Sequence, residues 1–281
     1  MFSDSTGVSP VTTDRLSAAA SPMLVEMARI AMEAGGIARS SLHRYAAGEM
    51  VHKKPRDFQT EADVAVEKFI VDALLAAFPD HGIWGEEQVG NRELASGAPR
   101  FLIDPIDGTT NYAWGIPHFG IVISEERDGA IVKGVVYDTM QDELFSAEQG
   151  AGAYLNGRAI RATNNADPVN AVVGAGLPVP GQVKSVPVET YHGALRRLMD
   201  TTSGVRRLGS AALSLAYVAC SRLDGFFEDG LSPLDYGASV LIVREAGGVV
   251  TGFDGQPIPK SGAILAGGTA IHPWLVEGFR P

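Results

Sequence analysis

The texture of the chain changes once, near residue 168, and that change limits the architectures open to it. Between residues 121 and 160 short apolar runs follow one another closely: Ile121-Val122-Ile123, Ile131-Val132, Val135-Val136-Tyr137, Glu143-Leu144-Phe145 and Ala153-Tyr154-Leu155. Asp128-Gly129 falls between two of them and Asn156-Gly157 follows the last, both dipeptides that close tight hairpins. This stretch predicts an antiparallel meander. After Pro168 strands alternate with helices. Val172-Val173 reads as a strand, and residues 191–199, 211–221 and 235–246 read as helices. Gly209-Ser210 opens the second of these, and Gly247-Gly248 closes the third. Two sheet-based halves are therefore expected: an N-terminal α+β half over 21–167 and a C-terminal α/β half over 168–281.

Upstream, Met23, Met27, Ile30 and Ala34 recur at helical spacing, and Gly35-Gly36 is expected to interrupt or bend that run. A second helix is predicted over 62–78, where Val66, Phe69, Ile70, Ala73, Leu74 and Ala77 share one face. Pro79-Asp80 ends it. Gly82-Ile83-Trp84 and Phe101-Leu102-Ile103 read as short strands. Residues 1–20 are rich in Ser, Thr, Ala and Pro without periodicity, and a mobile tail is expected there. The first basic residue is Arg15, so the basic start of a secretory leader is missing. The uncharged stretch 168–183 is broken by proline and glycine, and no membrane span is expected.

Charge narrows the function classes. The 33 acidic residues outnumber the 23 basic ones, for a net charge of −10. A general nucleic-acid binder needs a basic face, and a polybasic membrane-surface protein needs the same, so neither is expected. A phosphorylated ligand would need positive charge from elsewhere, and metal ions are the obvious source. The one cysteine, Cys220, allows no intrachain disulfide and suits a reducing compartment such as the cytoplasm.

The densest chemical feature is Asp104-Pro105-Ile106-Asp107-Gly108-Thr109-Thr110-Asn111-Tyr112. Two carboxylates three residues apart, on a turn expected at Pro105 and Gly108, can converge on one point. Gly108 lets backbone approach a ligand closely. Hard cations such as Mg²⁺ take oxygen ligands, and one carboxylate can bridge two of them. Asp-Pro and Asp-Gly are also ordinary turn dipeptides. Glu86 ends a short strand in Trp84-Gly85-Glu86-Glu87. Asp63 and Asp235 open helices, where an acid is also favoured by the helix dipole. Glu228 sits in the apolar stretch Phe226-Phe227-Glu228, where a solvated charge is a poor explanation. A phosphate-binding G-x-x-x-x-G-K-[ST] loop, H-E-x-x-H, a cysteine cluster and paired histidines are all missing. The spacing D-x-x-D also differs from the D-x-D of aspartyl-nucleophile phosphatases.

Taken in order, Trp84-Gly85-Glu86-Glu87, the segment from Asp104 to Tyr112, and Leu234-Asp235 with Glu245-Ala246-Gly247-Gly248 resemble the inositol monophosphatase family. The resemblance spans about residues 23–275. Gly209-Ser210-Ala211-Ala212 and Asp224-Gly225-Phe226-Phe227-Glu228 are similar to its bacterial branch of extragenic suppressor proteins.

The resemblance implies a layered αβαβα sandwich, two or three Mg²⁺ ions per active site, and hydrolysis of a phosphate monoester by metal-activated water. It implies that Glu86, Asp104, the Ile106 carbonyl, Asp107 and Asp235 are metal ligands, with Asp104 shared between two ions. Asp63 and Thr109, with Glu86, would be catalytic, the first two orienting the attacking water. The N–H groups of Gly108 and Thr109 would meet the phosphate. Gly209, Ser210, Ala211, Glu228 and Asp235 would line the rest of the substrate. Lithium sensitivity and a homodimer are further implications. The substrate class would be inositol monophosphate or a similar small polyol phosphate. The alternatives are histidinol-phosphate, nucleotide or sugar-bisphosphate phosphatases on the same scaffold, or a regulatory protein that keeps the fold and binds a protein partner. One departure stands out: Leu234 occupies the place of the family's usual Trp beside Asp235. That departure bears on the shape of the substrate pocket more than on the chemistry.

Overall fold

The computed structural model describes residues 13–43, 45, 51–54, 57–95 and 97–280. Of the expected tail, residues 1–12 lie outside the described residues. Residues 13–20 do not hang free: Leu16 is buried, and the Arg15 guanidinium grips Asp142 at 2.6 Å.

Helix α1 (Pro22–Ser40) starts where Ser21 caps the first turn and Pro22 supplies a pre-set φ. The break expected at Gly35-Gly36 does not occur. A β-carbon at Gly35 would lie 2.5 Å from the Tyr137 ring, so glycine here admits a neighbour rather than ending the helix. Strands β1 (Val51–Lys54) and β2 (Asp57–Gln59) pair as a small antiparallel ribbon ahead of α2 (Glu61–Ala77).

A seven-stranded sheet follows in chain order: β3 (Gly82–Gly85), β4 (Arg100–Asp107), β5 (Gly120–Arg127), β6 (Ala130–Asp138), β7 (Glu143–Glu148), β8 (Ala153–Leu155) and β9 (Arg158–Ala159). Only β3 and β4 run parallel; the rest form the meander. Its tight turns fall where the dipeptides predict, with φ +52° and +78° at Asp128-Gly129 and +47° and +76° at Asn156-Gly157. Strand β4 outlasts its predicted apolar core. It continues through Asp104 to Asp107, and its pairing with β5 slips between those two residues. Pro105 therefore sits at a strand irregularity rather than in a turn, a sheet setting that tolerates its missing N–H. The short helix α3 (Thr109–Ala113) begins directly after Gly108, whose φ is +100°.

The second sheet is built from β10 (Val172–Ala175), β11 (Gly204–Arg206), β12 (Gly225–Glu228), β13 (Val249–Thr251) and β14 (Ile264–Gly267), in the spatial order β11-β10-β12-β14-β13. Between and after these strands run α4 (Val188–Thr201), α5 (Ala211–Ala219), α6 (Pro233–Glu245) and α7 (His272–Glu277).

Strand alternation stacks the layers. Ile121 and Ile123 of β5 face Met27, Ile30 and Ile70 of α1 and α2, while Val122 between them joins Leu213 and Leu241 of α5 and α6. Phe226 of β12 points into that same middle layer; its neighbour Phe227 faces Tyr191 of α4 and Leu275 of α7. The order is thus helices, sheet, helices, sheet, helices, the expected αβαβα sandwich. Helix α5 lies between the sheets, and every residue in it except Tyr217 is buried, which explains why it is apolar on all sides.

Candidate active site

The acids singled out in the sequence come from separate elements. Glu86 follows β3. Asp104 and Asp107 lie in the C-terminal half of β4. Asp63 belongs to the first turn of α2 and Asp235 to that of α6. Glu228 ends β12. Strand ends and helix starts meet here from both halves of the chain.

Asp104 lies within hydrogen-bonding reach of Glu86. Burial, then the charges of Glu86, Asp107 and Asp235, hold its carboxyl well above the usual carboxylate range. Burial raises Asp107 to about 6, moderated by the Ser210 hydroxyl and the N–H groups of Ala212 and Ala211. Burial raises Asp235 to about 8, against the stabilising Ser232 N–H and together with the charges of Asp107, Glu86 and Glu228. One electrostatic group thus contains Glu86, Asp104, Asp107, Asp235 and Glu228.

Two of these acids also cap helices. Thr60 and Asp63 form a capping box: Asp63 Oδ2 accepts the Thr60 N–H at 2.8 Å and its hydroxyl at 2.5 Å. Asp63 Oδ1 is buried and accepts no hydrogen bond from the described residues. Burial, set against the Thr60 bonds, raises Asp63 to about 6. At α6, Asp235 Oδ2 accepts the Ser232 N–H at 2.7 Å.

Asp107 is fixed by the start of α5. Ser210 Oγ donates to its Oδ2, as does the Ala212 N–H at 2.9 Å, while the Ala211 N–H reaches Oδ1 at 3.3 Å. Ser210 and Ala211, expected at the substrate, thus direct their donors at an acid instead. The Ile106 carbonyl accepts the Thr109 hydroxyl at 3.1 Å. Gly108 faces Gly209, whose carbonyl would lie 3.2 Å from a β-carbon at position 108. Asn111 ties these two loops together by donating to the carbonyls of His118 (2.7 Å) and Leu208 (2.8 Å).

Glu67 is a residue the sequence reading passed over. It is fully buried on α2, and its carboxylate accepts the N–H groups of Glu87 and Val89, each at 2.7 Å. It thereby holds the backbone that carries Glu86. Burial, set against those N–H bonds, raises it to about 7. The signal was present: a charged residue stands between Val66 and Ile70 on the face assigned to the core. Asn111 and Gln182 were also missed; a lone polar residue in a short helix or a turn carries no comparable mark.

Divalent cations are what this donor set suits. All the side-chain donors are oxygens, with no sulfur or imidazole among them, as hard cations require. The buried acids raise one another's proton affinity, and a buried oxygen of Asp63 has no partner among the described residues, so bound positive charge would answer a need the chain itself creates. As the side chains stand, no three His, Cys, Asp or Glu among the described residues form a ready-made cage, and the Asp107 oxygens are turned to α5. A cavity of about 870 Å³ lies elsewhere, beside edge strand β3, lined by Trp84, Arg92, Leu94 and Arg100.

The layered sandwich, with acids gathered where its strands end and its helices begin, places the chain in a class: it belongs to the inositol monophosphatase family, whose model matches residues 20–280. Among its relatives, an inositol-1-monophosphatase from Mesorhizobium japonicum is 40% identical over 267 residues, covering 93% of this chain and 97% of the relative. A Nus factor SuhB from Pseudomonas aeruginosa is 39% identical over 263 residues, covering 92% and 96%. The crystal structure of the extragenic suppressor protein SuhB from Bartonella henselae superposes with a TM-score of 0.86 at 38% identity, covering 92% of this chain and 99% of that one.

Proposed function

We propose that this chain is a Mg²⁺-dependent phosphate-monoester hydrolase acting on inositol monophosphate or a similar small polyol phosphate. The observation that carries the reading is the set Glu86, Asp104, Asp107 and Asp235: four acids from three elements, close enough that the charges of the other three raise the proton affinity of buried Asp104. These four and the Ile106 carbonyl would hold the metal ions. When bound, such ions lower the pKa of a water and offset the charge of phosphate and leaving alkoxide. Asp63, through its unpartnered Oδ1, and Thr109, through its hydroxyl, orient the attacking water, and the Asp63 carboxylate takes up its proton. The N–H groups of Gly108 and Thr109 bind the phosphate, and Gly209 closes the wall beside them. Ser210 and Ala211 act on the substrate indirectly, by fixing Asp107. Glu228 accepts a hydroxyl of the alcohol. No protein nucleophile and no covalent phosphoenzyme are needed.

Phosphate release measured side by side on inositol monophosphate, histidinol phosphate, fructose bisphosphate and phosphoadenosine phosphate, with Mg²⁺ and with chelator, tests this. Greatest turnover on the inositol ester with Mg²⁺ supports it; no turnover of any ester sinks it. We place the chain in the cytoplasm as a homodimer, which light scattering would check.

The relatives named Nus factor SuhB favour a second reading, a regulatory role through a protein partner. An Asp107→Asn chain that still rescues a deletion strain would support that role.

A further inference from the structure

The loop from β10 to α4 reaches over Glu228. Val179-Pro180-Gly181-Gln182 forms a turn closed by the Gln182 N–H donating to the Val179 carbonyl at 3.0 Å. Proline at its second position and glycine with φ +84° at its third are the marks of a type II turn. The turn aims the Gln182 side chain inward. Its Oε1 accepts the Val179 N–H at 3.2 Å, and its Nε2 donates to Glu228 Oε1 at 3.1 Å. The far end of the loop is pinned by Asp229, which is buried and accepts the N–H groups of Lys184 (2.7 Å) and Ser185 (2.8 Å) and the Ser185 hydroxyl (2.8 Å). Glu228, the last residue of β12, and Asp229 directly after it therefore grip one loop at two points.

We propose that Gln182 is a positioning residue that sets substrate choice: its amide holds Glu228 as a fixed acceptor, so that the site selects phosphate esters of alcohols that carry a further free hydroxyl. This rests on the reading of Glu228 as the contact to the alcohol. Three points support it. The Gln182 amide can only donate to Glu228, because its oxygen is engaged by Val179. A donor on Oε1 favours the ionised carboxylate, which accepts hydrogen bonds and cannot give them. Among the described residues nothing bonds Glu228 Oε2, which is left for the ligand. An ester without such a hydroxyl gains nothing from this arrangement.

The decisive variant is Gln182→Glu. It keeps the side-chain length and the acceptor for Val179, and replaces the donor by a second carboxylate. Gln182→Met removes the donor without adding charge. Each is compared with wild type and Glu228→Gln on inositol monophosphate and on p-nitrophenyl phosphate, which has no hydroxyl. Both Gln182 variants should lower the ratio of kcat/KM for the inositol ester to that for the aryl ester by about tenfold, the size of one lost hydrogen bond to a charged group, through KM rather than kcat. If Glu228→Gln lowers the ratio and the Gln182 variants do not, Gln182 has no part in selection. If the Gln182 variants lower both substrates in proportion, together with the melting temperature, the residue serves only the loop, and the proposal fails. If Glu228→Gln leaves the ratio unchanged, the reading of Glu228 is itself wrong, and the inference falls with it.

Discussion

Glu67 and Gly85 occupy space that only this pairing of residues allows: a β-carbon at position 85 would lie 2.5 Å from the Glu67 carboxyl carbon. The glycine at the end of β3 lets a buried carboxylate reach past it to the N–H groups of Glu87 and Val89. Gly85→Ala should therefore displace Glu67 and cost about 1–3 kcal/mol, as overpacking does. It should also reduce activity, because the backbone carrying Glu86 loses its anchor. Adding Glu67→Asp, one methylene shorter, should recover part of the stability. Urea denaturation of the single and double variants would measure the coupling, and strictly additive costs would refute it.

Asp107→Asn keeps the shape of the side chain and one oxygen for the Ser210 and Ala212 donors, so the variant should fold. It removes a charge from the set of acids proposed to bind metal. The expected result is a fall in kcat on the order of a hundredfold or more for every substrate, larger than the loss from altering a residue that merely supports a ligand. Calorimetric titration with Mn²⁺ should show weaker binding in parallel. A variant with normal kcat and normal Mn²⁺ affinity would exclude Asp107 from the metal set.

Chelation should abolish phosphate release, and Mg²⁺ should restore it better than Ca²⁺, whose loose coordination places the reacting oxygens poorly. Li⁺ added at fixed Mg²⁺ should inhibit. Because a ligand that binds only the folded state raises stability, the melting temperature should climb with Mg²⁺ concentration. Full turnover in excess chelator would end the metal-dependent reading.

In chelator, stability should fall as pH rises. Burial and mutual repulsion place Asp63 and Asp107 at about 6, Glu67 and Glu228 at about 7, and Asp235 at about 8. Unfolded carboxyls titrate near pH 4. Between about pH 4 and 8 the folded state therefore holds more protons than the unfolded state, and its stability drains away as pH climbs through the folded values. Each proton so retained is worth about 1.4 kcal/mol per pH unit. Saturating Mg²⁺ should flatten the slope. Denaturation midpoints at pH 5.5 and 8, with and without Mg²⁺, would check the sign.

Leu234, at the family's usual Trp position, is buried at 5% exposure. It is therefore placed to pack rather than to form an open wall of the pocket. Leu234→Trp should lower the melting temperature, with an overpacking cost of about 1–3 kcal/mol, and leave the ranking of substrates unchanged. A changed ranking at constant melting temperature would put Leu234 in the pocket after all.

The hairpins and the interlayer helices were legible because their signals are local. Asn156-Gly157 dictates its own turn, and the apolar residues of α5 announce a helix covered on all sides. Strand β12 was harder. Phe226 and Phe227 are both apolar because both faces of their sheet are buried, so the alternation that marks an exposed strand is erased. The candidate acids could be picked out one at a time, yet their convergence could not be derived from spacing: Asp63 and Asp235 lie far apart in the chain, and each has an adequate local explanation as a helix cap. Gly35 misled because a helix-breaking residue also serves wherever a ring must come close. Glu67 was visible as a misplaced charge, but its partners lie about twenty residues downstream.

Asp107 is held in place by donors from residues more than a hundred positions later in the chain. A ribosome-bound chain that has finished only the first sheet already has Glu86, Asp104 and Asp107, but not the start of α5 that orients the last of them. Competence would then arrive late, when the second sheet docks. A partly opened molecule would fall silent before losing much of its secondary structure, which makes turnover a sensitive reporter of the contact between the two sheets. In a mild denaturant series, phosphate release should disappear ahead of the far-ultraviolet circular dichroism signal.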